Sequence, residues 1–234
     1  MANLNTKDIK TGGALPKTLQ PGNLVCKING MTLEEFKLKE GALVLTLNLE
    51  SQPIEGFEGF LVDKDVPDGP RFKGQVGNVK VSEWAYSDGE TKGGTLISRD
   101  EEILKFLKNL CVALDCVKWL DEQDGKHATI ESLFKAFVTA AKYKNIFLEF
   151  CLAGKEYLNK NSYTNYDLFL PRYTKSGSPF GPVLKDPKKS KVVIFDPAVH
   201  IKKRKASEVT EFSDGPGDAP DAGTPGNGPQ EFQL

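Results

Sequence analysis

Along this chain of 234 residues the spacing of apolar positions changes from period two to helical and back. Residues 1 to about 20 are polar, contain Gly12-Gly13 and Pro16, and read as a loose N-terminal arm. An apolar alternation opens over Leu24 to Ile28. It is clearest in ALVLTLNLES, from Ala42, where Leu43, Leu45, Leu47 and Leu49 share one face and Thr46 and Asn48 the other. Period two over that length predicts a half-buried strand. GFEGFLVD, from Gly56, predicts a third strand whose glycines permit a bulge. The turn-rich stretch from Val66 to Gly94 predicts loops around a short strand.

Helical spacing takes over at Ser98. Ser98 and Glu101 make an S-x-x-E capping box, in which each side chain serves a backbone N–H at the helix start. Ile103, Leu104, Leu107, Leu110, Cys111, Leu114 and Val117 then trace one apolar face of a long helix, with Trp119 on its core side. A turn at Gln123 to Lys126 leads to a second helix near Ile130 to Ala141, with Leu133, Phe134, Phe137 and Val138 inward. Strands return in NIFLEFCLAGKEY, from Asn145, then over Tyr166 to Leu170 and Val192 to Phe195, with a Gly/Pro/Lys loop from Thr174 to Lys191. Strands, a helical insertion over residues 98–141 and strands again, without βαβ regularity, predict an α+β fold that is mainly β: a small, strongly bent antiparallel sheet or barrel.

With 39% hydrophobic residues the chain can bury a core, and its length favours one domain with appendages. The expected organisation is an arm at 1–20, a domain at 21–205 and a disordered acidic tail at 206–234. No run approaches a membrane span and the N-terminus lacks a hydrophobic signal segment, so a cytoplasmic location is expected, that of a bacterial host if the chain is phage-encoded. Cys26, Cys111, Cys116 and Cys151 make no C-x-x-C pair. On one helix Cys111 and Cys116 would point to different faces, and all four read as buried free thiols.

Enzyme chemistry has little to build on. The chain has two histidines, His127 in a predicted turn and His200 before a basic run, and neither belongs to a nucleophilic triad signature. Phosphate-cradling glycine loops and metal-ligand spacings are missing, and Asp63 and Asp65 read as a solvated acidic turn. No catalytic residue, cofactor or metal is expected.

The net charge of −1 conceals a segregation. Lys155 to Lys205 holds twelve Lys or Arg against four Asp or Glu, whereas Ala206 to Leu234 holds six acids and no base. Four of the six tyrosines, Tyr157, Tyr163, Tyr166 and Tyr173, fall within GKEYLNKNSYTNYDLFLPRYTK, interleaved with Lys155, Lys160, Arg172 and Lys175. Single-stranded nucleic acid wants that mixture, cations for phosphates and aromatic faces for unstacked bases. The same tyrosines could instead pack a half-buried strand with wet hydroxyls. Trp84 and Tyr86, two apart in SEWAYSDG, form a second candidate platform or a packing pair. HIKKRK, His200 to Lys205, is open to several readings: phosphate binding, docking of the acidic tail, a soluble domain edge, or a nuclear-import patch.

This layout, with the tail SEVTEFSDGPGDAPDAGTPGNGPQEFQL, resembles that of bacteriophage single-stranded DNA-binding proteins. The resemblance covers the organisation of residues 20 to 205 and the tail, with more scattered acids and a longer helical insertion than such proteins need. It implies an OB-like barrel that coats single-stranded DNA in replication or recombination without sequence preference. It also implies stacking roles for Tyr157, Tyr163 and Tyr166, and a tail that recruits replication or recombination proteins through Phe232 and Leu234. A homo-oligomer is compatible with it. The alternative is a non-enzymatic structural or adaptor protein, such as a viral assembly component, in which basic run and acidic tail serve subunit docking.

Overall fold

The computed structural model describes residues 17–55, 58–61, 65–69, 71–90, 93–158, 164–173 and 177–204. In chain order its first strands are β1 (Gly22–Glu35), β2 (Leu43–Ser51), β3 (Phe60–Leu61), β4 (Arg71–Phe72), β5 (Val76–Lys80), β6 (Gly89–Glu90) and β7 (Leu96–Ile97). Three helices follow, α1 (Arg99–Ala113), α2 (Val117–Asp121) and α3 (Ile130–Ala140). The chain then forms β8 (Phe147–Leu158), β9 (Thr164–Phe169), β10 (Phe180–Pro182), α4 (Pro197–His200) and β11 (Ile201–Lys202).

Five of these strands close a barrel in the order β1-β2-β5-β9-β8, with β8 paired back onto β1. β5 and β9 are parallel, Val79 opposite Leu168 and Lys80 opposite Phe169, and the other contacts are antiparallel. The expectation of a wholly antiparallel sheet is corrected at this seam, and again where β11 pairs with β8 in parallel. The helical insertion is the cause of the β5–β9 seam: the chain leaves β5 through α1 to α3, runs along β8, and returns as β9 in the direction of β5.

The leucine face of β2 forms the centre of the core, with Leu43, Leu45, Leu47 and Leu49 between 0% and 4% exposed. Ile28, Val79, Leu148, Phe150 and Leu168 meet them from the other barrel strands. Burying each such side chain contributes roughly 1.5–3 kcal/mol. β1 serves two neighbours because its register shifts between Ile28 and Gly30, a bulge that bends it from β8 toward β2. At Gly154 a Cβ would stand 2.8 Å from Pro21 Cγ and 3.1 Å from Tyr166 Cβ, so only glycine lets β8 pass there.

α1 covers the barrel with Ile103, Phe106, Leu107, Leu110 and Cys111, a helical stripe in which Phe106 faces inward and Leu104 lies exposed. Ser98 Oγ accepts from the Glu101 N–H at 3.3 Å, and Asp100, Glu101 and Glu102 complement the helix dipole. The helix stops earlier than its apolar spacing predicts. Asp115 takes a left-handed φ of 54°, and the Cys116 N–H turns back to the Cys111 carbonyl at 2.8 Å, so α1 and α2 are separate. The thiols of Cys111 and Cys116 are therefore brought into hydrogen-bonding contact rather than pointed apart. All four cysteines are free, Cys116 half-buried and the others buried. Trp119, half-buried on α2, meets the Phe137 ring of α3 edge-on at 5.4 Å.

Other expectations change as well. Among the described residues of GFEGFLVD, Phe60–Leu61 is strand, paired with β4 in a hairpin outside the barrel; Gly56, Phe57 and residues 62–64 lie outside the described residues. Val192 to Phe195 is not a strand. Asn23 takes the place of a ladder there: Nδ2 donates to the Val193 carbonyl at 2.9 Å and Oδ1 accepts from the Phe195 N–H at 2.7 Å. β10 and β11, not foreseen, extend the sheet along β8. The end of the N-terminal arm is not loose, because the Leu19 N–H binds the Val76 carbonyl at 3.1 Å and the Val76 N–H the Lys17 carbonyl at 3.2 Å. Among the described residues no helix is long and apolar enough to cross a membrane. Residues 1–16 and the tail from 205 onward lie outside the described residues.

Candidate nucleic-acid interface

Side chains that alternate with the core leucines point outward, and on β1, β2 and β5 they are mostly small and polar. Thr32, Thr46, Asn78 and Lys80 line a groove of about 450 Å³ that runs over the barrel's outer face. Tyr157 and Asn165, opposite one another on β8 and β9, border it, and Glu34 and Asp167 supply its acids. Asn48 Nδ2 donates to Asn78 Oδ1 at 3.0 Å and fixes one cross-strand pair. Lys80 and Lys155 form no ion pair among the described residues, whereas Lys27 is committed to Glu50 at 3.1 Å.

The β8–β9 register separates the tyrosines. Tyr157 pairs with Asn165 and Tyr166 with Glu156, so the two rings lie on opposite faces of the strand pair. Tyr157, 42% exposed, shares the outward face with Lys155. Tyr166 is half-buried, packed against the core and over Gly154. It also lines the groove, from the core side.

A second cleft, of about 730 Å³, gathers four residues singled out in the sequence: Trp84, Tyr86, Arg172 and Tyr173. Its walls are the bend after β5, the polar flank of α1 and the segment following β9. Trp84 and Tyr86 do not share the side of an extended strand, because the chain bends from Val81 to Trp84. Tyr86 is fastened to the start of β2 by reciprocal backbone bonds with Leu43 of 2.7 Å and 2.8 Å. Trp84 stands 66% exposed. Tyr173 packs edge-on against Phe180 at 6.2 Å, with Ser178 and Asn109 beside its hydroxyl. Phe180 in turn meets Phe106 of α1 at 5.7 Å and Phe150 of β8 at 5.9 Å, which ties this wall to the core.

Electrostatics in the cleft follow from burial and one acid. Burial pushes the Tyr86 phenol well up, and the nearby Glu102 carboxylate adds to it, so the hydroxyl stays neutral. Burial also raises Tyr173, against the opposing effect of Ser178 and Asn109 beside its hydroxyl. Glu102 binds Lys105 at 2.7 Å and holds it protonated. Arg99 is a clamp, donating to the Gly41 carbonyl at 2.8 Å and pairing with Asp100 at 2.7 Å and Glu131 at 3.4 Å. Lys108 and Arg172, both exposed, form no ion pair among the described residues.

Reading the sequence missed Lys80, Lys105 and Lys108. Lys80 follows the buried Val79 in strict alternation, and Lys105 and Lys108 are three apart on the polar flank of α1, so each carried a usable signal. Within HIKKRK, Lys202 pairs in parallel register beside Lys155 and donates to Glu83 at 2.6 Å. His200 is buried, its Nδ1 accepting from the Asp196 N–H at 2.9 Å. Lys160, Tyr163, Lys175, Phe232 and Leu234 lie outside the described residues. Compared with family models, curated proteins and solved structures, the chain matches none.

Proposed function

We propose that this chain is a single-stranded DNA-binding protein built on an OB-type barrel, acting in replication or recombination. OB barrels are five-stranded Greek-key barrels that take oligonucleotides on the face of their second and third strands. Flanking that face are the loops joining strands one to two and four to five. The observation that carries the reading is where the polar groove falls. It lies over β2 and β5, second and third in the barrel, and is bordered by Tyr157 at the end of β8, beside the connection to β9. Thr, Asn and two unpaired lysines around an exposed ring offer hydrogen bonds, phosphate contacts and one stacking face, none of which reads sequence strongly. The acidic tail, with Phe232 and Leu234, fits recruitment of partner proteins in such a role.

The test is a fluorescence anisotropy titration of labelled oligo-dT at low salt, with duplex DNA as competitor. The expected result is tight binding of the single strand and poor competition by the duplex. No binding of oligo-dT at low salt would overturn the reading.

A further inference from the structure

The larger cleft lies beside the outer face of the barrel rather than on it. The two adjoin at the ends of the parallel pair β5 and β9: Lys80 and Leu168 line the groove, and Val81 and Leu170, just beyond the strand ends, line the cleft. We propose that this cleft is a second subsite for the same single strand, stacking bases on Trp84 and Tyr173 and holding their phosphates with Lys108 and Arg172. The proposal rests on the barrel reading and adds a place where the strand is gripped after it leaves the groove.

Three observations support it, together with one consequence of tethering. Trp84 holds a large apolar ring in water beside a mostly apolar lining, which marks a recognition surface rather than a packing residue. Tyr173 is half-exposed but braced edge-on against Phe180, itself packed on Phe106 and Phe150, so a base can stack on it with little loss of side-chain freedom. The cleft's charge is positive where it counts: Glu102, the one acid among its lining residues, is neutralised by Lys105, leaving Lys108 and Arg172 for phosphates. Finally, a strand already held in the groove meets the cleft as an intramolecular ligand, so even weak stacking there raises affinity. An aromatic peptide would also find rings in this cleft, but it would leave Lys108 and Arg172 unanswered.

The test uses the full chain, a ladder of oligo-dT lengths and two variants, Trp84→Ala and the double variant Lys108→Gln/Arg172→Gln. All three side chains are exposed, so folding is preserved, which circular dichroism checks. In the wild type, longer oligo-dT quenches tryptophan emission, and affinity rises in two steps with length. Trp84→Ala should remove both the quenching and the second step, lowering affinity for long oligo-dT about five-fold or more while sparing the shortest binders. The double variant should reduce the dependence of log affinity on log salt by about 1.4, two phosphates at roughly 0.7 each for a single strand. Wild-type length dependence and salt slope in both variants, with oligo-dT still bound, would overturn the subsite and leave the barrel reading standing. Absence of any oligo-dT binding by the wild type would overturn both.

Discussion

Tyr157 and Tyr166 face each other's strands across the β8–β9 ladder, and a register offset of one position gives them different work. Tyr157 projects outward over the groove, so Tyr157→Ala should weaken oligo-dT binding by about 1 kcal/mol or more and leave the urea midpoint unchanged. Tyr166 rests on the core and on Gly154, so Tyr166→Ala should instead cost about 1–2 kcal/mol of stability. Equal effects of the two substitutions on binding, with neither affecting stability, would contradict this division. Their place in a basic, aromatic stretch was legible in the sequence. Which ring is free was not, because that depends on the strand's register against its neighbour.

Buried thiols set a second expectation at this scale. Burial pushes Cys26 and Cys111 up to about 12 and Cys151 to about 11, against 9.0 for a solvated thiol. Their folded values lie above the unfolded ones, so the stability they contribute is complete below about pH 9 and is lost as pH rises toward 12. The urea midpoint should hold up to about pH 8 and drop by about pH 10.5. Cys26→Ala should flatten that alkaline decline. An equally steep decline in the variant would assign it to other groups.

At the scale of elements, local signals were dependable where a stripe faces the core. β2 is read directly from its leucines, α1 from its cap and spacing, and α3 from its spacing. The ends were less legible. Apolar spacing continues from Leu114 to Val117, yet the chain breaks at Asp115 because α2 must turn to set Trp119 on Phe137. VVIF has strand composition, but its backbone is shared between an isolated bridge at Val192 to Ser178 and the Asn23 side chain, a partner 170 residues away for Val193. α3 ends on Ala141 in the left-handed region, φ 52°, a conformation that costs an L-residue and not glycine. Ala141→Gly should therefore raise stability by about 0.5–1 kcal/mol in urea unfolding. A loss of stability would show that the methyl group packs more than the strain costs.

For the whole molecule, charge segregation along the chain singled out the second half, and the fold spreads those cations over more than one face. Lys155 and Arg172 end up at different sites, Lys202 is taken by Glu83, and the cleft draws Lys105 and Lys108 from the helical insertion. A site assembled from Ser82–Ser87, Arg99–Asn109 and Leu170–Tyr173 has no linear signature; only the barrel's closure brings those segments together. In the same way the parallel β5–β9 seam, absent from any local pattern, is where groove and cleft adjoin. The resulting surface holds few free cations, and its hold on a strand is expected to combine a handful of phosphate contacts with stacking.

The most direct measurement is the affinity for oligo-dT across a salt series. Four phosphates met by Lys80, Lys108, Lys155 and Arg172, at about 0.7 each, correspond to a slope of log affinity on log salt near −3. A slope close to that value, with tight binding at low salt, is the predicted result. Affinity that ignores salt, or no binding at the lowest salt, would contradict single-strand binding by this barrel.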